Sequence, residues 1–158
     1  MTGDAPSIID PVSGLFTEAF LRATLPTRVA TARRAMKQLG LVTITVHGPD
    51  GDPTPVDPAP IGALIRDTLR DSDTGVMLDD GRFALLLEFT PVEGCVIIAH
   101  RLVDRLEAAQ PGFAMAVGVA SYPVHAINAA ELLTASERAG HEADDTGPGA
   151  VSVAPIAD

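Results

Sequence analysis

Apolar positions along this chain recur with two different periods, and the periods predict helices alternating with strands. Over residues 14–38, Ala, Leu and Arg recur at helical spacing, with a break predicted near Pro26 and a stop at Gly40. Residues 41–46 read Leu-Val-Thr-Ile-Thr-Val, a β-branched alternation that predicts a strand. Residues 49–60 hold five prolines with Asp50, Asp52 and Asp57, and predict an irregular loop. Ile61, Leu64, Ile65, Thr68 and Leu69 restore helical spacing as far as about Arg70. Two short apolar runs, 75–78 and 83–88, flank Asp79-Asp80-Gly81-Arg82, and the Asp-Gly pair predicts a hairpin. Thr90-Pro91 opens a helix whose buried stripe is predicted at Val92, Val96, Ala99, Val103 and Leu106, ended by Gln110-Pro111-Gly112. A strand over 114–120, an Ala-rich helix over 129–142, a polar turn over 144–149 and a short strand over 151–154 complete the pattern. A hairpin inside an otherwise alternating chain predicts a mixed sheet with helices packed on it.

Composition narrows the class. The chain has 158 residues, the size of one domain, with residues 1–9 read as a short polar arm and 10–158 as the domain. Its 11 basic against 21 acidic residues give a net charge of −10, which argues against sequence-independent nucleic-acid binding. No apolar run reaches the roughly 18–20 residues of a membrane helix, and the first eleven residues lack the charge and apolar block of a secretory signal. The expectation is a cytoplasmic domain away from membranes. A single cysteine, Cys95, excludes an internal disulfide and any multi-thiolate metal site, and is read as a small buried residue.

Three islands resemble the GGDEF family, the domains that make or sense cyclic di-GMP. Asp10-Pro11-Val12-Ser13-Gly14-Leu15 is similar to the family's opening Asp-x-Leu-Thr-Gly-Leu, and the hairpin with Phe83-Ala84-Leu85-Leu86-Leu87 resembles its signature hairpin. Val117-Gly118-Val119-Ala120-Ser121-Tyr122-Pro123 is close to its Ile-Gly-Val-Ala-x-Tyr-Pro. The order and spacing of elements match over about residues 10–153. The resemblance implies an α/β (α+β) palm-like nucleotide-cyclase fold with a mostly antiparallel central sheet flanked by helices.

Against that family pattern the chain is degenerate. A diguanylate cyclase needs carboxylates to hold two Mg²⁺ ions at the hydroxyl and triphosphate of its substrates. The five signature positions, Gly-Gly-Asp/Glu-Glu-Phe in the family, read Asp79, Asp80, Gly81, Arg82 and Phe83 here. The metal-binding acid has become Gly81, and Arg82 puts a fixed positive charge where a cation would sit. Asp79 and Asp80 could replace the lost ligands, but they are displaced by one or two residues, which changes their direction and face. The strand corresponding to the family's first ends Val46-His47-Gly48 without its metal-binding acid, and the proline-rich loop replaces the guanine-reading helix. The family's phosphate-contacting Lys falls on Asp144, and its following basic residue on Pro148. No catalytic residue, no metal site and no cofactor are expected, and the chain is not expected to make cyclic di-GMP.

A second family site, Arg-x-x-Asp five residues before the signature turn, binds cyclic di-GMP. Arg70 and Asp73 meet that spacing, and Arg101 falls where the family supplies a further arginine. The arginine fork suits a phosphate or the Hoogsteen edge of guanine, and the aspartate suits guanine N–H groups. Together they would support micromolar binding, about −8 kcal/mol. Equally open is a structural pair closing a helix end, since Arg101-Leu102-Val103-Asp104 repeats the pattern inside a helix as an i,i+3 pair. Met77 stands where the family has another Arg. A solvated helix end is the expectation for His141, Glu142, Asp144 and Asp145, and a solvated face for Arg33, Arg34 and Lys37, with an acidic partner as the rival. His47 and His100 show no partner pattern. The loop over 49–60 is either a replacement for unused catalytic machinery or a recognition loop.

The sequence therefore predicts a catalytically inactive GGDEF-like receptor or adaptor for cyclic di-GMP, signalling through an unidentified protein partner or a homodimer. No sensor or output domain fits within 158 residues. The rivals are a ligand-free interaction scaffold of the same fold and a residual cyclase.

Overall fold

A six-stranded sheet runs through the molecule, and each strand gives alternate residues to opposite faces. The computed structural model describes residues 8–49 and 55–156. The elements run β1 (Phe16–Thr17), α1 (Glu18–Ala35), β2 (Leu39–His47), α2 (Pro58–Thr68), β3 (Thr74–Met77), β4 (Phe83–Glu88), α3 (Val92–Ala109), β5 (Ala114–Tyr122), α4 (Ala129–Thr146) and β6 (Val151–Val153). Strand order is β1-β3-β4-β2-β5-β6. The central pairs β3–β4, β4–β2 and β2–β5 are antiparallel, and the two edge pairs are parallel. This is the mixed sheet the pattern predicts, and it is mostly antiparallel, as the family resemblance implies.

Period-2 alternation divides the core in two. Leu39, Leu41, Ala84, Leu86 and Ala120 pack under α1 and α4. Val42, Ile44, Leu85, Leu87, Val117 and Val119 pack under α2 and α3. Two close approaches set the depth of packing. A Cβ on Gly118 would stand 2.0 Å from the backbone nitrogen of Gly140, so α4 lies directly on β5. A Cβ on Gly40 would stand 2.3 Å from Cys95 Sγ, so the missing side chain makes room for the thiol of α3 on β2.

That contact corrects the reading of Gly40, which is a strand residue paired with Leu87 and Ser121 and stops no helix. α1 ends instead at Met36, in the left-handed region at φ 55°, with its amide bonded to Ala32 and Arg33 carbonyls. Nor does Pro26 break α1. It sits on the exposed face, where the carbonyl it leaves unpaired is not sealed in the core, while Leu21, Leu25, Val29 and Ala32 hold the other face on the sheet.

α2 starts at Pro58, earlier than the proline pattern suggests. Asp57 caps it by accepting the Ala59 N–H, and Pro58 and Pro60 lie in the first turn, where a missing N–H costs little. Of the 49–60 loop, residues 50–54 lie outside the described residues, as do 1–7 of the N-terminal arm. Ile9 of that arm forms an antiparallel bridge with Phe16.

The buried stripe of α3 is Cys95, Ala99, Leu102 and Leu106, while Val92, Val96 and Val103 lie at its half-buried margins. α4 runs on to Thr146, so Asp144 and Asp145 are helical and not part of the following turn. The two-residue β1 is a strand that periodicity did not predict. Among the described residues no helix is long and apolar enough to cross a membrane.

Candidate ligand site

The opening motif forms a tight turn under the site. The Ser13 backbone N–H and hydroxyl both donate to Asp10 Oδ2, at 2.8 and 2.7 Å, and the side-chain bond draws the Asp10 carboxyl below its usual range. Arg66 of α2 donates to the Ser13 carbonyl, tying this turn to the helix that leads to Arg70.

Arg70 and Asp73 meet in the turn between α2 and β3. Arg70 Nε donates to Asp73 Oδ2 at 3.1 Å and Nη2 to Oδ1 at 3.2 Å, a bidentate fork. The Arg70 backbone N–H also donates to Oδ2, and the Glu88 N–H to Oδ1. Each Asp73 oxygen thus accepts two bonds, and the side chain is fully buried. Arg70 Nη2 reaches on to the Glu88 carbonyl at 3.2 Å and Thr90 Oγ1 at 2.6 Å. Phe89, at φ 50°, turns the chain sharply enough to bring those two acceptors to one nitrogen. The carboxylate raises the affinity of Arg70 for its proton. The arginine side chain remains 58% exposed, and its Nη1 bonds nothing among the described residues.

Arg101 shares no bond with either residue. It is exposed on α3 and makes no ion pair with Asp104, so the repeated Arg-x-x-Asp pattern is not the i,i+3 pair expected of it. One turn further on, Arg105 Nη1 donates to Thr68 Oγ1 at 3.0 Å. That bond lays the Arg101 face of α3 beside the end of α2, from which Arg70 emerges. A depression of about 190 Å³ at Arg70 is lined by Gly14, Phe16, Arg66 and Asp73 among others, and lacks Arg101.

The signature turn is a hairpin as predicted. The Leu78 N–H donates to the Arg82 carbonyl at 2.8 Å, and Gly81 takes φ 93°. Arg82 Nε lies 2.7 Å from Asp80 Oδ2, and its N–H is bonded to Asp80 Oδ1. Burial works against ionisation of Asp80, but these Arg82 bonds outweigh it and hold the carboxyl below its usual range. Asp79 donates its N–H to Glu18, which pairs with Arg22 at 2.8 Å. Phe83 is buried under α2 and α3. Met77 ends β3 against the same core.

Where β2 ends, His47 Nε2 lies 2.6 Å from Asp144 Oδ1 on α4. Sequence spacing could not find this pair, because its members are 97 residues apart and meet only through the sheet. No cluster of three His, Cys, Asp or Glu side chains able to hold a metal exists among the described residues, the His141–Asp145 group included. Cys95 is buried as expected, and desolvation pushes its thiol up to about 12.

No sequence model of a protein family matches this chain, and neither does any curated protein. Solved structures do match it. The GGDEF domain of TpbB (YfiN) from Pseudomonas aeruginosa superposes with a TM-score of 0.81 at 24% identity, over 93% of this chain and 94% of that one. The diguanylate cyclase SiaD of the same organism, solved with its activator SiaC, gives 0.79 at 19% identity, over 94% of this chain and 62% of that one. The coiled coil and GGDEF domain of DgcB from Caulobacter crescentus, in complex with c-di-GMP, gives 0.78 at 10% identity, over 93% and 85%. The fold of this chain is that of a GGDEF domain.

Proposed function

On the premise of that fold, we propose that the protein is a catalytically silent receptor for cyclic di-GMP, with Arg70 as the primary contact and Arg101 as the second. The observation that carries this reading is the state of Arg70. Its fork is fixed by Asp73, Glu88 and Thr90, yet more than half of the side chain faces solvent. An arginine held in place offers a phosphate or guanine a charged donor whose ordering cost is already met. Asp73 has a different role from the one its residue type suggests. Both its oxygens are occupied within the protein, so it positions Arg70 and does not read guanine. Arg101 leans toward the start of α3, as helical side chains do, and thus toward the end of α2. The depression at Arg70 is smaller than the roughly 300–1,000 Å³ of a pocket that encloses its ligand, so the dinucleotide lies across the surface between the two arginines. The DgcB complex supports the choice of ligand.

The absence of turnover rests on the signature turn. Asp80 is bonded to Arg82, and the neighbouring position is Gly81, so the turn does not fit the Mg²⁺ pair of a cyclase. The signal would pass to a partner protein; that a protein of this fold takes a protein partner is seen in the diguanylate cyclase SiaD, which is bound to its activator SiaC.

Calorimetric titration with cyclic di-GMP tests the reading. Micromolar binding is expected in the wild type, weakened at least tenfold in Arg70→Ala and to a lesser degree in Arg101→Ala. No heat in any variant and an unchanged melting temperature at millimolar ligand would reject the receptor. A scaffold would then be left, the second reading, which the saturated Asp73 carboxylate favours. Incubation with GTP and Mg²⁺ or Mn²⁺ is expected to yield no cyclic di-GMP, and turnover abolished by Asp80→Ala would overturn the assignment.

A further inference from the structure

A groove of about 510 Å³ lies between α4 and the chain that follows β6, on the side of α4 opposite Leu133, Ser136 and Glu137, which flank the signature turn. The walls are apolar, from Ile127, Ala130, Ala135 and Ile156, and the Ile156 wall is anchored where Ala154 donates its N–H to the Val119 carbonyl. Ile127 and Ile156 are well exposed, so this apolar surface faces solvent.

Two side chains in the apolar lining, His125 and Arg138, each hold a donor with no acceptor among the described residues. His125 is 92% buried, and its Nδ1 accepts the Ser121 backbone N–H at 2.9 Å. An amide cannot accept, so the ring proton sits on Nε2. That Nε2–H has no acceptor among the described residues. Burial lowers the affinity of this imidazole for a second proton, which keeps it a neutral donor. Arg138, on the exposed side of α4, has no ion pair or hydrogen bond among the described residues. Among the described lining residues the one acid, Glu131, accepts the Ile127 N–H at 3.1 Å. A buried donor with no acceptor and a guanidinium with no acid among the described residues, set in apolar walls, suit a molecule that carries an anionic acceptor on an apolar body.

We propose that this groove binds a small amphipathic monocarboxylate, its carboxylate accepting from His125 Nε2–H and Arg138 and its alkyl tail lying along Ile127, Ala130 and Ile156. The site shares no lining residue with the depression at Arg70 and does not depend on cyclic di-GMP binding.

Octanoate is the probe. Titrated into the isotopically labelled full chain, it is expected to give saturable amide shifts confined to residues 125–138 and 154–156. Arg138→Gln should weaken binding about tenfold or more, through loss of the charge-assisted bond. Thr134→Phe, which fills the groove from an exposed position, should abolish it with an unchanged melting temperature. The proposal is overturned by no saturable shift in the wild type, by 1-octanol binding as well as octanoate, or by an Arg138→Gln affinity equal to wild type. Acetate matching octanoate would also overturn it, since the walls would then contribute nothing.

Discussion

At the scale of single residues, three polar groups are set by what surrounds them. Asp73 accepts four hydrogen bonds while buried, so it is a structural acid whether or not a ligand binds. Asp73→Ala strands those donors, two of them backbone amides, and should lower stability by about 2–3 kcal/mol in a urea melt without ligand. An unchanged midpoint would return Asp73 to the ligand's service. His125 is buried with its proton affinity depressed. The unfolded chain takes up a proton near pH 6.5 that the folded chain refuses, so this residue withdraws stability as pH falls below about 6.5 and has no effect above it. The stability advantage of wild type over His125→Asn should therefore shrink between pH 7 and pH 5.5, and a pH-independent difference would refute this. The Cys95 thiol, raised to about 12 by desolvation with Asp73 adding to it, should resist a thiol reagent in the folded protein and react at once in denaturant.

At the scale of elements, glycines decide how closely helices lie on strands. Gly118 has no room for a methyl group, because the nearest atoms belong to the Gly140 backbone. Gly118→Ala should push α4 off β5 and cost about 1–3 kcal/mol or more, while Gly48→Ala, with open space around it, should cost little. Comparable midpoints for the two variants would contradict the packing argument. The bond from Arg105 to Thr68 acts at the same scale, since it joins α3 to the end of α2 and so relates Arg101 to Arg70.

At the scale of the whole molecule, β2, β4 and β5 contribute alternate residues to both cores, so neither face can melt alone. Leu25→Ala under α1 and Leu102→Ala on α3 should each lower stability by about 2–5 kcal/mol within one shared transition. Helical circular dichroism and the fluorescence of Tyr122, the chain's one tyrosine, should follow coincident curves in both variants. Separated curves would mean that the faces unfold independently.

The order of elements, the hairpin and the α/β class were legible in the chain itself, because they rest on local physics. An Asp-Gly pair fixes a turn through glycine's access to positive φ, and alternation fixes a strand through the pleat. The charges of Asp79, Asp80 and Arg82 in the hairpin turn were equally legible, since a position holds its charge wherever the chain folds. Local rules failed where distant groups met. Periodicity placed Ala99 and Leu106 in the α3 stripe correctly but chose Val96 and Val103 over their neighbours Cys95 and Leu102, because pattern alone does not say which of two adjacent apolar positions faces the sheet. Proline rules broke α1 at Pro26, because exposure of that face is a tertiary fact. The His47–Asp144 pair, the saturation of Asp73 by the Glu88 amide and the groove at His125 join residues far apart in sequence. Residue type offers a hydrogen-bonding capacity, and only the packed chain decides which partner uses it.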